Sequence, residues 1–304
     1  MSDRHGVTVL LLNFRDAERS IACVRSAISE GAECVLVWDN SADAGCSAKT
    51  IRQHFPDNSR VWIQISDCNL GFAAGVNRAI ECIREERPSD WVLVINNDAT
   101  LRPGAVRKLA SEMEASPAAL MLVPAVSHAG NERRVMYYHR WSGLLLHFPH
   151  VGCFAFPSGC CFLIAPERYR GPLYDERFFM YGEDVELGTR FAVDSEIVFL
   201  AEVLVDHEGS ASSRLGSRFY EERVVAAHFL LVSALTRNRL KKAALVLSRI
   251  PFLLARALLR SFRFRSLLPL KALYWGGAIA LGKDSLRQAA AVARKQPETS
   301  RRLP

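Results

Sequence analysis

Short apolar runs alternate with helical patterns over the first 115 residues, and this alternation constrains the fold more than any other feature of the chain. Four runs have the length and β-branched content of buried strands: residues 7–12, 33–38, 61–65 and 91–95. Patterns of helical spacing follow them, at residues 16–30, 48–54, 69–84 and 102–115. Strands that alternate with helices predict a mostly parallel sheet with helices on both faces. We therefore expect an α/β fold with a Rossmann-like sheet.

From about residue 120, shorter strand-like segments replace this alternation, at residues 120–123, 154–156, 161–164 and 197–200. A further helical pattern covers residues 185–193. The short strands predict a mixed sheet that completes the first half. Residues 137–141 read Tyr-Tyr-His-Arg-Trp, and we expect this aromatic and cationic stretch to be a ligand-binding loop.

Polar side chains follow the predicted strands at the points where they end. They are Asn13, the pair Asp39 and Asn40, Asn69, and Asp98. Ligands of open α/β sheets bind beyond the carboxyl ends of the strands. The shared position of these residues therefore indicates one binding edge.

Two acidic sites stand out in the chain. Asp98 ends the apolar run of residues 91–95, and Glu183 and Asp184 follow the aromatic segment Phe-Phe-Met-Tyr-Gly. A strand that ends in an acid can hold a metal or a phosphate, and a later loop acid is a candidate general base. The two sites together suggest group transfer from a nucleotide-activated donor.

Length and composition are those of a globular protein. With 304 residues, 49% hydrophobic and 23% charged, the chain can bury a full core. The eight cysteines form no Cys-x-x-Cys pair, and no histidine stands at zinc-finger spacing. Since the first residues contain no apolar stretch of signal-peptide type, we expect reduced thiols and a cytoplasmic protein.

The C-terminal part is basic and helical in pattern. The formal charge is +7, and most of the excess lies after residue 213 among Arg and Leu residues. No window of about 18 residues is apolar and free of charge, so a spanning helix is not expected. We expect an amphipathic segment on an anionic membrane surface rather than a nucleic-acid contact, with Tyr274 and Trp275 beside Lys271 at headgroup level. The alternative is a helical cap on the sheet with its arginines in water.

Six segments occur together in one order, and their combination resembles a known family. They are residues 7–13, 38–41, 69–78, 96–98, 159–164 and 179–184. The stretch Asn-Leu-Gly-Phe-Ala-Ala-Gly-Val-Asn and the later Tyr-Gly-Glu-Asp are similar to family 2 glycosyltransferases of the GT-A fold, in the rhamnosyltransferase-like branch. The resemblance covers about residues 7–215.

The resemblance implies three parts of the chain. Residues 1–218 would form the GT-A domain, with a nucleotide-sugar half at about 1–118 and an acceptor half at about 119–218. Residues 219–294 would be the basic helical segment, and residues 295–304 a disordered tail.

The same resemblance implies an inverting transfer of a sugar from a nucleoside diphosphate to a glycan or a polyprenyl-diphosphate-linked acceptor. The product would belong to a cell-surface polysaccharide. The leading donor is dTDP-rhamnose, although the residues themselves fix neither the base nor the sugar.

Residue roles are carried over by position. The residues expected at the nucleotide sugar are Asn13, Asp39, Asn69, Gly71, Asn77, Asn97 and Arg214. Asn13 and Asp39 would hold the base and ribose. Glycine at position 71 would allow the backbone to approach the donor. Arg214, with Arg218, would neutralise the leaving diphosphate.

A divalent metal, Mg²⁺ or Mn²⁺, is expected at Asp98 and His207. The family motif is usually written Asp-x-Asp, and here Asn96 replaces the first acid. Mg²⁺ needs only one or two carboxylates when substrate phosphates complete its shell, so the site stays workable with weaker affinity.

Asp184 is the expected general base, and Glu183 lies beside it. Two carboxylates in one site raise a pKa, which brings a base nearer to neutral pH.

Two alternatives remain open. A nucleotidyltransferase would carry a glycine-rich cationic loop after the first strand, where this chain reads Asn-Phe-Arg-Asp. A non-catalytic protein of the same fold, binding a nucleotide sugar or a membrane, is supported by the replacement at Asn96.

Overall fold

The computed structural model describes residues 6–128, 130–191, 196–209 and 215–288. The strands are β1 (Val7–Asn13), β2 (Cys34–Asp39), β3 (Val61–Ile65), β4 (Trp91–Ile95), β5 (Ala99–Leu101), β6 (Met121–His128), β7 (Asn131–Arg133), β8 (Met136–His139), β9 (Leu145–Leu146), β10 (Cys153–Phe156), β11 (Cys161–Ile164) and β12 (Ile197–His207). The helices are α1 (Ala17–Ser29), α2 (Cys46–Gln53), α3 (Phe72–Glu86), α4 (Ala105–Ala115), α5 (Glu183–Phe191), α6 (Arg218–Leu235), α7 (Arg239–Phe264) and α8 (Leu268–Ala280).

The central sheet has nine strands, in the order β3-β2-β1-β4-β11-β6-β12-β5, and β7 pairs with β6. Strands β1 to β4 are parallel, β11 runs antiparallel between β4 and β6, and β12 is parallel to β6. The predicted α/β fold with a mostly parallel first half and a mixed second half is thereby confirmed.

The strands of the parallel half consist of uninterrupted apolar residues because both faces of the sheet are covered. In β1, Val9 and Leu11 belong to one hydrophobic cluster, whereas Leu10 belongs to the cluster on the other face. Successive side chains of a strand point to opposite faces, so a strand buried on both sides needs apolar residues throughout. Each of these three side chains is fully buried.

Two strands are longer than the sequence pattern indicates. Predicted at residues 120–123 and 197–200, they run over Met121–His128 and Ile197–His207. Their second halves pair with each other as far as His128 and His207. These extensions carry polar residues and, in β12, exposed ones, so hydrophobicity alone does not reveal them.

The aromatic segment of residues 137–141 was predicted as a loop, and the structure corrects this. Met136–His139 is the central strand of a separate sheet with the order β10-β8-β9. Tyr138 is buried there, with its ring centroid 5.7 Å from that of Phe154. Packing of alternate aromatic side chains against a neighbouring strand stabilises strand geometry.

Three helices follow the sheet, and buried ion pairs join them. Glu221 in α6 is fully buried and pairs with Arg256 at 3.0 Å and Arg260 at 2.6 Å, both in α7. Arg223, also buried, pairs with Asp284 beyond α8, with Nη2 to Oδ1 at 2.9 Å. The segment predicted as helical is therefore a helical layer tied together by charges.

The sequence analysis expected no membrane-spanning helix and a disordered tail. In the described part, no helix is long and apolar enough to cross a membrane. The tail of residues 295–304, predicted to be disordered, lies outside the described residues. All eight cysteines are described, and each is a free thiol.

Candidate active site

A cavity of about 820 Å³ opens at the carboxyl edge of the parallel strands. Its wall includes Asn40 after β2, Asp98 after β4, and His207 at the end of β12. Glu183 and Asp184 line the same cavity from the start of α5. The volume lies within the range of about 300–1,000 Å³ that is usual for ligand sites. The two acidic sites, 85 positions apart in the chain, thus share one cavity.

Asp98 and His207 lie in direct contact. Strand β12 pairs antiparallel with β5, and this register sets His207 opposite Ala99. The His207 Nε2 atom lies 3.0 Å from Asp98 Oδ1, and both side chains are largely buried. The structure therefore brings together the two residues that the sequence assigned to a metal.

A second histidine, His128, lies against His207, and the sequence analysis missed it. The parallel register of β6 and β12 pairs His128 with His207, and their Nδ1 atoms are 3.2 Å apart. A Cβ on Gly209, where φ is +82°, would lie only 1.9 Å from the His128 ring, so glycine is needed there. Burial lowers the pKa of His128, and the nearby Arg133 guanidinium lowers it further.

The donor atoms at Asp98 and His207 fit a divalent ion that takes its other ligands from phosphate and water. One carboxylate oxygen and one imidazole nitrogen suit Mn²⁺, and they suit Mg²⁺ when phosphate and water oxygens supply the remaining ligands. Among the described residues, no group of three or more His, Cys, Asp and Glu side chains is arranged to hold an ion. The protein alone therefore offers a partial coordination shell.

Glu183 and Asp184 differ in their surroundings. Glu183 is buried, and its Oε2 receives no hydrogen bond from the described residues. Burial raises the pKa of Glu183 well above the usual carboxyl range, and the charge of Asp184 raises it further. Burial also raises the pKa of Asp184, while the Val185 N–H, which donates to its Oδ1 at 2.8 Å, opposes the change. Both groups are thus poised nearer to neutral pH than ordinary carboxylates.

The turn before this pair aims it into the cavity. Tyr181 and Gly182 have φ values of +69° and +89°, the left-handed region that reverses the chain direction. A Cβ on Gly182 would lie 2.8 Å from the Cβ of Ala227 in α6, so this turn packs closely on the helical layer. Phe178 and Phe179 are buried and anchor the segment.

The backbone at Gly71 packs closely against the segment that precedes Glu183. Its φ is +80°, and a Cβ would lie 2.3 Å from the backbone oxygen of Phe179. The close approach of Phe179 is thus one reason for glycine here, and Gly71 also lines the cavity, so its expected approach to a sugar nucleotide stays a prediction. The Asn40 amide holds the same turn, donating to Asn69 Oδ1 at 3.1 Å and to the Gly71 carbonyl at 3.0 Å.

Three predicted binding residues are buried and are not part of the cavity wall: Asn13, Asp39 and Asn77. The Asn13 amide donates to Asp39 Oδ1 at 2.8 Å and to Ser41 Oγ at 3.0 Å. Asn77 donates to the Tyr174 carbonyl at 2.9 Å and accepts from the Tyr174 N–H at 2.9 Å. These side chains hold the loops behind the cavity. Asp39 Oδ2 differs, since no described residue donates a hydrogen bond to it.

Of the two predicted arginines, Arg218 is not part of the cavity wall. Arg214 lies outside the described residues, and Arg218 is exposed, where it pairs with Glu222 at 3.1 Å and stacks over Trp275. Arg133 and Arg134 line the cavity instead. The sequence pattern does not predict this position of Arg133 and Arg134, because the position of β7 depends on its pairing with the extended half of β6.

Residues 13–165 match the family described as Glycosyl transferase family 2, which is half of the chain. This chain belongs to glycosyl transferase family 2. The matched residues include Asp98 but not Glu183, Asp184 or His207.

This family 2 chain is similar to two curated proteins of Mycobacterium tuberculosis, from strains CDC 1551 / Oshkosh and ATCC 25618 / H37Rv. Each is an N-acetylglucosaminyl-diphospho-decaprenol L-rhamnosyltransferase, 27% identical over 205 residues, and the match covers 57% of this chain. It covers 65% of each relative, slightly less than two thirds. The predicted likeness to rhamnosyltransferases is confirmed at this level.

Two solved structures share the fold. GalNAc-T7 with UDP, GalNAc and Mn²⁺ aligns with a TM-score of 0.57 and 14% identity, over 75% of this chain and 48% of the other. The mannosyltransferase PcManGT from Pyrobaculum calidifontis, with GDP-Man and Mn²⁺, aligns with a TM-score of 0.54 and 15% identity, over 96% and 80%. These alignments confirm the predicted GT-A fold.

Proposed function

We propose that this family 2 chain transfers a sugar from a nucleoside diphosphate to an acceptor hydroxyl, with inversion at the anomeric carbon. One observation carries the proposal: a carboxylate pair with raised pKa values and the Asp98–His207 pair line the same cavity. A base and an anion-stabilising site within one cavity are the two elements that this reaction requires.

Asp184 acts as the base in this proposal. The acceptor oxygen attacks the anomeric carbon from the side opposite the diphosphate and loses its proton to an Asp184 oxygen. The bond from the anomeric carbon to the diphosphate breaks, and the diphosphate takes that electron pair. Asp184 suits this role better than Glu183, because it is more exposed and its burial is offset by backbone N–H groups.

Asp98 and His207 are assigned to the divalent ion, Mg²⁺ or Mn²⁺. When bound, such an ion supplies positive charge beside the phosphate oxygens. Arg133 adds a cation at the same cavity, close to His128. Guanidinium groups pair well with phosphate oxygens, so we assign Arg133 to the diphosphate. The role expected for Arg214 remains a prediction.

The nucleotide subsite is assigned to the loops after β1, β2 and β4. Asn69, Gly71 and Asn97 line the cavity and are available for direct contact. Asp39 would accept a hydrogen bond from the base or ribose at its free Oδ2. Asn13 and Asn77 would act indirectly, by holding the loops.

The proposed substrates are taken from the names of the relatives. We propose dTDP-rhamnose as donor and an N-acetylglucosaminyl-diphospho-polyprenol as acceptor, in the synthesis of a cell-surface polysaccharide. The relatives' names support this choice. The enzyme would act in the cytoplasm, at the inner face of the cell membrane where such an acceptor is held.

Thermal stabilisation against a panel of dTDP-, UDP- and GDP-sugars, with Mn²⁺ or Mg²⁺ and then with EDTA, tests the donor assignment. A ligand that binds the native state raises Tm. We expect a metal-dependent rise with dTDP-rhamnose. A rise with another nucleotide sugar would change the donor and keep the mechanism. No rise with any of them, together with no transfer to the lipid-linked acceptor, would favour the non-catalytic alternative.

A further inference from the structure

Helix α7 has its polar and apolar faces the opposite way round from an ordinary surface helix. Arg249 is fully buried and donates to the carbonyl oxygens of His228 and Arg140, at 2.5 Å and 2.7 Å. Arg256 and Arg260 turn to the same side, towards the buried Glu221. The helix thus directs these three arginines into the protein.

Large apolar side chains occupy the outward face of α7. We call this stripe the α7 apolar face, and its members are Leu240, Leu247, Leu254, Leu258 and Phe262. Their spacing follows the helical period of 3.6 residues, so they form one continuous line. Their exposed fractions are 83%, 66%, 44%, 58% and 88%. Contiguous apolar surface of this kind marks an interaction site.

The charges around this face identify the kind of partner. Residues 223–283 contain no Asp or Glu. Exposed cations stand at both ends of α7 and beside it: Arg237, Arg239, Lys241, Arg263, Arg265 and Lys271. A second copy of this chain would oppose like charges across such a contact, and a nucleic acid would leave the leucines unburied.

We infer that the α7 apolar face docks on an anionic lipid bilayer. An apolar stripe flanked by cations is the pattern of a helix that lies in the membrane interface. At 26 residues, α7 is about 39 Å long, enough for an extended contact parallel to the surface. The exposed Tyr274 of α8 would add an aromatic group at headgroup level.

This inference changes which residues make the contact. The sequence analysis expected the arginines of this segment at the lipid, or in water, and it paired Trp275 with Tyr274. In the structure Arg249, Arg256 and Arg260 face inward. The Trp275 ring is covered by Arg218, whose guanidinium carbon lies 4.2 Å from the ring centroid. Leucines and Phe262 would therefore enter the bilayer.

Co-sedimentation of the full chain with vesicles tests the proposal. The vesicles are phosphatidylglycerol mixed with phosphatidylcholine, and phosphatidylcholine alone. The test variant carries Leu247→Ser and Leu258→Ser. The matched control carries Phe148→Ser and Val151→Ser, two apolar residues outside α7 that are more exposed than the two leucines. Thermal stability and nucleotide-sugar binding verify that both variants are folded.

We expect wild type and control to bind the anionic vesicles equally and to bind phosphatidylcholine less, with binding that weakens as salt rises. The α7 variant should bind about tenfold more weakly, because two side chains no longer enter the bilayer. Equal binding by all three proteins, or no binding by wild type, would overturn the proposal. So would sedimentation velocity that showed a dimer of wild type lost in the α7 variant, since the occupant would then be a second copy.

Discussion

At the residue scale, Glu183 and Asp184 are neighbours in the chain with different surroundings. Glu183 is buried without a hydrogen bond to Oε2, whereas Asp184 is partly exposed and accepts a backbone N–H. Burial disfavours the charged form of a carboxyl group, so the less buried of the two is the better base near neutral pH.

The first prediction concerns Asp184→Asn. Loss of the base should lower kcat by about 10²–10⁴-fold, while nucleotide-sugar affinity stays within a few-fold of wild type, because the amide keeps the shape of the side chain. In wild type, the acidic limb of the kcat profile should lie above the ordinary aspartate pKa of about 4. Steady-state kinetics across pH and calorimetric titration measure both. A variant with the wild-type rate would show that Asp184 is not the base.

Glu183→Gln makes the second prediction, on stability. The pKa of Glu183 is raised in the folded state, so wild type loses stability as pH rises above the unfolded value of about 4.3. The glutamine variant carries no such charge. Its Tm should exceed that of wild type at pH 7–8, by about 2–4 °C per kcal/mol of relief, and the difference should vanish below pH 4. A lower Tm at pH 8 would contradict the assignment of a buried, raised pKa.

The third prediction is that Asp98→Ala weakens metal-dependent binding of the nucleotide sugar by about tenfold or more, since one of two protein ligands is removed. Affinity in EDTA should be the same for variant and wild type, which serves as the internal control. If the two proteins also bound equally in Mn²⁺, Asp98 would have no part in holding the ion.

At the element scale, the paired ends of β6 and β12 contribute Val126, His128 and His207 to the cavity wall. They bring His128 against His207 and carry β7 with Arg133. Asp98, Glu183 and Asp184 could be predicted as site residues from the sequence, because each follows an apolar or aromatic run. The places of His128 and Arg133 in the cavity could not be predicted, because they depend on the register of two strands whose ends are polar.

A fourth prediction follows for Arg133→Gln. A charge-assisted hydrogen bond contributes roughly 1.5–3 kcal/mol, so affinity for the nucleoside diphosphate should fall by roughly tenfold or more. Arg25→Gln, a change to an exposed arginine of α1 outside the cavity, is the control and should bind normally. Equal affinities for the two variants would remove Arg133 from the diphosphate site.

The helical layer gives the fifth prediction. Arg223 and Asp284 are both buried, so Asp284→Ala would leave an unpaired buried cation. We expect a loss of roughly 3–5 kcal/mol in the free energy of unfolding. Urea unfolding measures it, with Glu222→Ala, whose partner Arg218 is exposed, as the control. Similar small losses in both variants would mean that this ion pair does not fix the segment after α8.

At the scale of the whole molecule, hydrophobic pattern was a reliable guide to the fold and a poor guide to the C-terminal helices. The strands predicted at residues 61–65, 91–95 and 161–164 have those bounds in the structure. Both faces of the sheet are buried, so the pattern reads directly as strands. In α7, the arginines pair with a glutamate of another helix, and sequence spacing alone cannot identify that partner.

At this scale, the cavity and the α7 apolar face are the two surfaces to which we assign functions, and residues 223–283 contain no Asp or Glu in a chain of net charge +7. The cavity carries the acids and the cations assigned to catalysis, and the α7 apolar face carries leucines flanked by cations. Ser217, Phe219 and Leu286 line the cavity from the helical layer itself. One layer of helices therefore connects the substrate site to the proposed membrane contact.

The central claim is tested most directly by the anomeric configuration of the product, measured by nuclear magnetic resonance. Wild type, Asp184→Asn and Glu183→Gln are each given dTDP-rhamnose and N-acetylglucosaminyl-diphospho-polyprenol. We predict that wild type and Glu183→Gln transfer one sugar, with an anomeric configuration opposite to that of the donor. Asp184→Asn should form almost none of this product. A product with retained configuration, or an equal yield from Asp184→Asn, would contradict it.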